Sequence, residues 1–350
     1  MSFGGSNPDG SENNKQRLNL SVQAYEVIQS DMFAFGEEKL SRFINCIFQY
    51  YYPEADASIS RALNRLQGNL KQQLTEVRGD ETTKRRVMDA LLKQEEARLT
   101  EKARSYGKGK PVIFGLRKNN FEYLTKADSE CAEEKFYDYR QGKYIKSVLE
   151  EYARLPYVQR ERIYYTPRME EIDHAIRAKC QLRVETGTRK VYSVYPYQVL
   201  CDPLSTANYL VGYSRRYSYP EDGLRPCSYR ISALADVKAE KSKSAFLKQD
   251  RRKQLEQSIA SRGVQFMASE EEEIHVRLTE TGKDKYQRQV HLRPTRVREQ
   301  EDVFVFQCTA AQAEFYFFKF GADAEIILPV SLREKLKSMY EQAASAYESN

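Results

Sequence analysis

A multidomain α+β fold is what this sequence predicts, and three patterns predict it. Up to about Tyr152, apolar side chains recur every three or four positions, as in helices with one buried stripe. From Asn208 to Ser214 and from Cys227 to Leu234, polar and apolar residues change places with period two, as in paired strands. After Ile274, alternating runs and helical stripes follow one another, which suits helices packed on a small sheet. At 350 residues the chain has room for two or three units, each with its own core.

Met1–Lys15 is rich in Gly, Ser and Asn and is expected to be a disordered tail. Leu18, Leu20 and Val22 then alternate with Arg17, Asn19 and Ser21, which predicts a short strand with one apolar face. A helix follows over Gln23–Ala34, with Gly36 placed as its C-cap. Leu40, Phe43, Ile44, Ile47 and Phe48 mark a second helix. Ile59, Leu63, Leu66, Leu70, Leu74 and Val77 form another helical stripe, broken at Gly79-Asp80. A charged helix over Glu81–Arg104 completes a hairpin that reads as a connector.

Val112–Phe114 reads as a strand, and helices are expected near Asp128–Tyr139 and Tyr144–Tyr152. Lys238–Arg262 is dense in charge and reads as a helical linker. Beyond it, His291–Val297, Val303–Cys308 and Glu325–Leu328 read as strands, with helices over Ala310–Phe320 and Ser331–Tyr347. That alternation suggests a ferredoxin-like α+β unit. Phe315, Phe317, Phe318 and Phe320 give it more apolar surface than a small unit hides, which points to a dimer contact.

The chain carries 56 basic and 50 acidic residues, a formal +6, so any nucleic-acid site should be local. Six widely spaced cysteines without a Cys-x-x-Cys pair read as reduced thiols of a cytoplasmic protein. No apolar signal core opens the sequence, and no apolar run approaches membrane-spanning length. Three histidines, His174, His275 and His291, show no metal-ligand spacing, and no cofactor is expected. Neither a Gly-x-Ser-x-Gly elbow nor a Gly-Lys-Ser/Thr phosphate loop is present. Arg168 and His174 fit a short Arg-x-His ribonuclease spacing, but it has no second copy and reads as helix surface. A non-enzymatic protein is the expectation.

Binding chemistry concentrates between Tyr195 and Leu234. Arg215, Arg216, Arg225 and Arg230 stand there among Tyr209, Tyr213, Tyr217, Tyr219 and Tyr229. Rings offer faces on which unpaired bases stack, and guanidiniums contact phosphates. The same tyrosines could equally fill the wall of a small barrel. Alternation sets Tyr209, Val211, Tyr213 and Arg215 on one strand face.

Pro196-Tyr197-Gln-Val-Leu200, Asn208-Tyr-Leu-Val-Gly-Tyr213 and Ser228-Tyr-Arg-Ile-Ser-Ala-Leu234 together resemble the WYL domain. That resemblance implies an Sm-like five-stranded barrel over 166–240, with a ligand groove at Tyr197, Tyr209, Tyr213, Arg215, Arg216, Tyr229 and Arg230. Asn208, Cys227 and Ala233 depart from the pattern at its Trp and two of its arginines. The strand, helix, Gly36-Glu-Glu-Lys-Leu-Ser-Arg-Phe-Ile44 and second helix resemble a ribbon-helix-helix module over 16–53. This implies pairing with a second chain and a candidate DNA-reading face at Arg17, Asn19 and Ser21. Glu37 and Glu38 would repel the phosphate that such a helix start usually meets. Residues 54–165 are the connector, and 241–350 resembles the linker and C-terminal dimerisation extension of WYL proteins. The combination resembles WYL accessory proteins of type VI-D CRISPR–Cas systems. It implies a non-catalytic homodimer that binds single-stranded RNA and stimulates an RNA-guided CRISPR nuclease. The alternative is a DNA-binding transcription regulator with a ligand-sensing barrel.

Overall fold

The computed structural model describes residues 15–107, 109–125, 136–137, 140–202, 206–267, 271–300 and 302–348. They fall into two compact units that divide at Thr166/Pro167. Both combine helices with antiparallel sheets, a multidomain α+β architecture. The expected N-terminal tail and most of the helix expected near Asp128–Tyr139 lie outside the described residues.

In the first unit β1 (Lys15–Leu20) runs through Ser21 into α1 (Val22–Phe35), followed by α2 (Leu40–Tyr51). Ser21 caps α1, its Oγ accepting from the Ala24 amide at 3.1 Å. Gly36 closes the helix at φ 68°, a left-handed conformation that glycine adopts freely. The sequence suggested a second chain as partner for β1; the partner is β2 (Lys110–Gly115) of the same chain. Val112 and Phe114 of β2 join Leu18 and Leu20 in the core, while Ile113 faces out opposite Arg17. Two short strands with matching alternation thus complete their ladder within one chain.

α3 (Ile59–Thr75) and α4 (Glu81–Arg104) form the expected hairpin, burying only Ile59 and Leu99. α5 (Lys118–Thr125), α6 (Gln141–Tyr152) and α7 (Tyr157–Tyr164) complete the unit. α6 is buried through Tyr144, Ile145, Val148, Leu149 and Tyr152 and packs on β1 and α2. Residues 16–53 and 54–165 therefore share one core. The Tyr164 ring stacks on Phe35 at 4.9 Å and on Phe43 at 5.3 Å. Asp31, 1% exposed, is paired as a buried carboxylate must be, with Arg160 at 2.7 Å and the Tyr152 hydroxyl at 2.8 Å.

The second unit opens with α8 (Thr166–Ala178) and a five-stranded antiparallel sheet. Its strands are β3 (Cys180–Thr186), β4 (Val191–Cys201), β5 (Asn208–Arg216), β6 (Arg225–Arg230) and β7 (Leu234–Ser244), in the order β6-β5-β4-β3-β7. Lys238–Ser244, expected as the start of a helical linker, belongs to β7. Its backbone is taken up by β3, with Lys238 opposite Arg183, and Val237 is buried. Only α9 (Gln249–Arg262) of that stretch is helical.

The β4–β5 register slips between Pro196 and Gln198, leaving Tyr197 as the extra residue of a bulge. Gly212 faces Pro196 there, and a Cβ on it would lie 2.2 Å from the Tyr195 carbonyl oxygen.

The remainder is β8 (Glu272–Leu278), α10 (Glu280–Arg288), β9 (Thr295–Gln300), β10 (Val303–Cys308), α11 (Ala310–Phe317), β11 (Ala324–Leu328) and α12 (Val330–Glu348). The sheet order is β11-β8-β10-β9. The strand expected at His291 begins only at Thr295, and the helix expected to Phe320 gives way at Phe318 to a 3-10 turn. Phe317 and Phe320 are 1% exposed, and Phe318 stacks on Tyr340 at 5.0 Å. Of the four phenylalanines expected at a dimer contact, Phe315 alone remains open. Among the described residues, no helix is long and apolar enough to cross a membrane.

Candidate nucleic-acid interface

β5 sorts its side chains onto two faces, as alternation requires. One face carries Ser214 and Arg216 toward an open pocket of about 440 Å³ at the β5–β6 end of the sheet. The register sets Tyr192 of β4 opposite Arg216, and Arg225 of β6 opposite Ser214. The Tyr192 and Tyr229 rings lie 5.6 Å apart, tilted by 45°. Tyr229 shares a 2.9 Å hydrogen bond with Ser214 Oγ. Burial raises the Tyr229 phenol well above its usual range and pushes the Cys227 thiol up to about 12, so both are neutral near pH 7.

The arginines are held by the loop beyond β5. Arg216 sits 5.9 Å over the Tyr219 ring, and Arg215 donates to the Pro220 carbonyl. Arg215 Nε and Ser228 Oγ are buried with no hydrogen-bond partner in the protein. An unmet buried donor costs about 1–3 kcal/mol, so these groups favour a ligand bearing acceptors. Three arginines against one carboxylate, Asp222, line the pocket, which suits a phosphate, and the tyrosine pair supplies flat surface for a base.

Of the seven groove residues expected from sequence, Arg215, Arg216 and Tyr229 meet here. Tyr209 and Tyr213 lie on the opposite face of β5. There α9 covers Val211 and Tyr213, which pack with Leu247, Leu255, Val264 and Met267. The Tyr213 hydroxyl donates to Gln254 Oε1 at 3.0 Å, and that of Tyr197 to Glu256 Oε1 at 2.7 Å. Tyr209 packs half-buried beside them. Arg230 is exposed at the end of β6 opposite Tyr209. Sequence reasoning missed Tyr192 and Ser228. The signal for Tyr192 was the Val191–Cys201 alternation, which sets it across from Arg216 once β4 and β5 pair.

In the first unit, Arg17 and Asn19 are exposed beside Ile113, which is 65% exposed. Ser21, expected on the same reading face, is turned inward as a cap and donates to Glu150 Oε2 at 2.6 Å. Glu37 occupies the start of α2, accepting from the Lys39 amide at 3.1 Å and pairing with Arg42 at 3.2 Å. A phosphate at that helix start would have to displace a carboxylate. On α8, Arg168 donates to the Ile231 and Ala235 carbonyls, holding the turn between β6 and β7.

No protein-family model matches this chain, and no curated protein matches it by sequence. Among solved structures, one titled "Crystal structure of a CRISPR Cas-related protein" superposes with a TM-score of 0.74, is 22% identical and covers 97% of both chains. Proteasome accessory factor B/C (PafBC) of Arthrobacter aurescens also matches, with 15% identity over 70% of this chain and 39% of its own. Its TM-score of 0.30 is too low to carry an inference. This chain therefore has the fold of a CRISPR Cas-related protein along nearly its whole length.

Proposed function

We propose that this chain is a non-catalytic accessory protein of a CRISPR system that binds single-stranded RNA and stimulates an RNA-guided ribonuclease. One observation carries the reading: three arginines, two tyrosines and orphaned donors converge on one pocket of a β-sheet. Such a surface holds phosphates and stacks bases without any general acid or base. The fold shared with a CRISPR Cas-related protein supports the system, and the nuclease partner rests on the resemblance alone. In this reading the β3–β7 sheet is the Sm-like WYL barrel, supported by β7 returning to the edge of β3. The β-α-β-β-α-β order from β8 to β11 supports a ferredoxin-like extension. The β1–β2 ribbon with α1 and α2 is a ribbon-helix-helix whose ribbon closes inside one chain. The homodimer and cytoplasmic location belong to the same proposal, and the dimer's interface lies elsewhere than β1. The DNA-regulator alternative is weakened by inward-turned Ser21 and by Glu37 at the start of α2.

The test is RNA binding as a function of salt. Each phosphate neutralised on a single strand contributes a slope of about −0.7. Replacing Arg215 and Arg216 by glutamine should weaken binding and flatten the slope by about 1.4. The same variant should lose stimulation of a CRISPR ribonuclease added in trans. Unchanged affinity and slope in a folded double variant would remove this pocket from the site and sink the proposal.

A further inference from the structure

A second basic and aromatic site lies where α8 ends and α9 begins. Pro196, Tyr197, Phe246, Leu247 and three cations, Arg177, Lys179 and Arg252, surround a pocket of about 340 Å³. No carboxylate lines it. Among the described residues, none of the three cations takes part in an ion pair. A third basic and aromatic pocket of this unit contrasts with it, since its Lys283 is paired with Glu280 and its Arg296 with Glu299.

Each member is positioned by the backbone. Lys179 stands at φ 53°, a left-handed conformation in which helix ends commonly carry glycine, yet the residue is lysine. Its carbonyl accepts from the Ala245 amide at 2.8 Å, tying the end of α8 to the segment after β7. Arg252 Nε donates to the Leu247 carbonyl at 3.1 Å, and Arg177 Nε to that of Asp173 at 3.2 Å. Lys179 and Arg252 each lie 5.9 Å from the centre of the Phe246 ring. That ring is 60% exposed between two buried neighbours, Ala245 and Leu247. The β4 bulge turns Tyr197 to the same rim.

Cations at a helix C-terminus are favoured by the helix dipole, so Arg177 and Lys179 alone would carry nothing. Arg252 comes from a different helix, and the Phe246 ring stands exposed within reach of two cations. We infer that this pocket is a second RNA subsite, in which one unstacked nucleotide lays its base on Phe246. Its flanking phosphates are held by Arg177, Lys179 and Arg252. The inference rests on the RNA-binding reading and extends it from one contact to two along the same strand.

The experiment uses the full chain and a fluorescently labelled single-stranded RNA. Phe246→Ala should weaken binding by about 5- to 150-fold, the range for losing one base–aromatic stack. Phe246→Tyr should bind as the natural protein does. Lys179→Gln with Arg252→Gln should flatten the salt slope by about 1.4. Because Phe246 is exposed, Phe246→Ala should melt at the natural temperature. RNA carrying 4-thiouracil should crosslink to the peptide containing Phe246.

Full affinity in Phe246→Ala and in the Lys179/Arg252 variant overturns the subsite. If the Arg215/Arg216 variant is weakened in the same experiment, the proposed function survives that outcome. A nucleoside monophosphate that binds as tightly as the strand, and depends on Phe246, would also overturn it, because the pocket would then serve a free nucleotide. No RNA binding by the natural protein overturns the function and the subsite together.

Discussion

Tyr213 is the residue on which a structural role and a binding role part most clearly. Its ring is 3% exposed beneath α9, packed with Leu247, Leu255, Val264 and Met267. Arg251 lies 5.1 Å from the ring centre, and the hydroxyl donates to Gln254 at 3.0 Å. Tyr213→Ala removes a buried ring and leaves a cavity, which costs about 3–5 kcal/mol in comparable aromatic truncations. Tyr213→Phe keeps the ring and loses one hydrogen bond, about 0.5–1.5 kcal/mol. In a unit of this size each kcal/mol lowers the melting temperature by about 2–4 °C. The alanine variant should therefore melt roughly 6–20 °C lower, and the phenylalanine variant only roughly 1–6 °C lower. At a temperature where both are folded, RNA affinity should be unchanged in each. Calorimetry and RNA titration on the same samples read both quantities. A Tyr213→Ala protein that melts normally but binds RNA poorly would refute this placement and return the ring to the groove.

Gly212→Ala places a Cβ against the Tyr195 carbonyl at the β4–β5 bulge and should cost at least about 2 kcal/mol, read by denaturant unfolding. Asp31→Ala strands the Arg160 guanidinium and the Tyr152 hydroxyl in the first core. It should destabilise by about 3–5 kcal/mol while leaving RNA affinity unchanged. Among Cys201, Cys227 and Cys308, only exposed Cys201 should be alkylated in the native protein near pH 8. Burial pushes the other two thiols up to about 12, and mass spectrometry of the labelled peptides decides. Those two thiols keep protons that the unfolded chain releases around 9. Their contribution to stability is thus complete below 9 and is lost as pH rises toward 12, which unfolding at stepped pH would show.

Elements whose periodicity was uninterrupted were legible at once. The Glu81–Arg104 helix and the Val303–Cys308 strand have the bounds their patterns imply, and Gly36 caps α1 in the left-handed conformation. The losses have physical causes. Ile274, Val276 and Leu278 alternate into the core as β8, but the acidic run before them masked the strand. Lys238–Ser244 is charged because all seven side chains after Val237 stand at least partly in solvent on an edge strand, and surface charge resembles a helix as easily as a strand. The partner of β1 could not be read locally, since β2 lies roughly ninety residues away along the chain and strand pairing is decided by the shared core.

The division of the expected groove follows from the same kind of distant contact. Alternation correctly separates Tyr213 from Ser214 and Arg216, but it cannot say which face a later helix will cover. α9 looks like a solvated linker because most of its surface is charged; Leu255 is its one buried side chain, and it lands on the Tyr213 face. Covering that face leaves Arg215, Arg216 and Tyr229 at one pocket. The bulge turns Tyr197 toward the other, where α9 itself supplies Arg252. Tyr197 and Tyr213 are sixteen residues apart on neighbouring strands, and α9 holds both hydroxyls through Glu256 and Gln254. A helix bonded to both should move both pockets if it shifts. Shortening Tyr197 and Tyr213 to phenylalanine together should therefore loosen α9, seen as faster amide exchange over Gln249–Arg262, while each pocket keeps its own arginines. Unchanged exchange there would mean that the apolar seat of Leu255 holds the helix without help from the tyrosine hydroxyls.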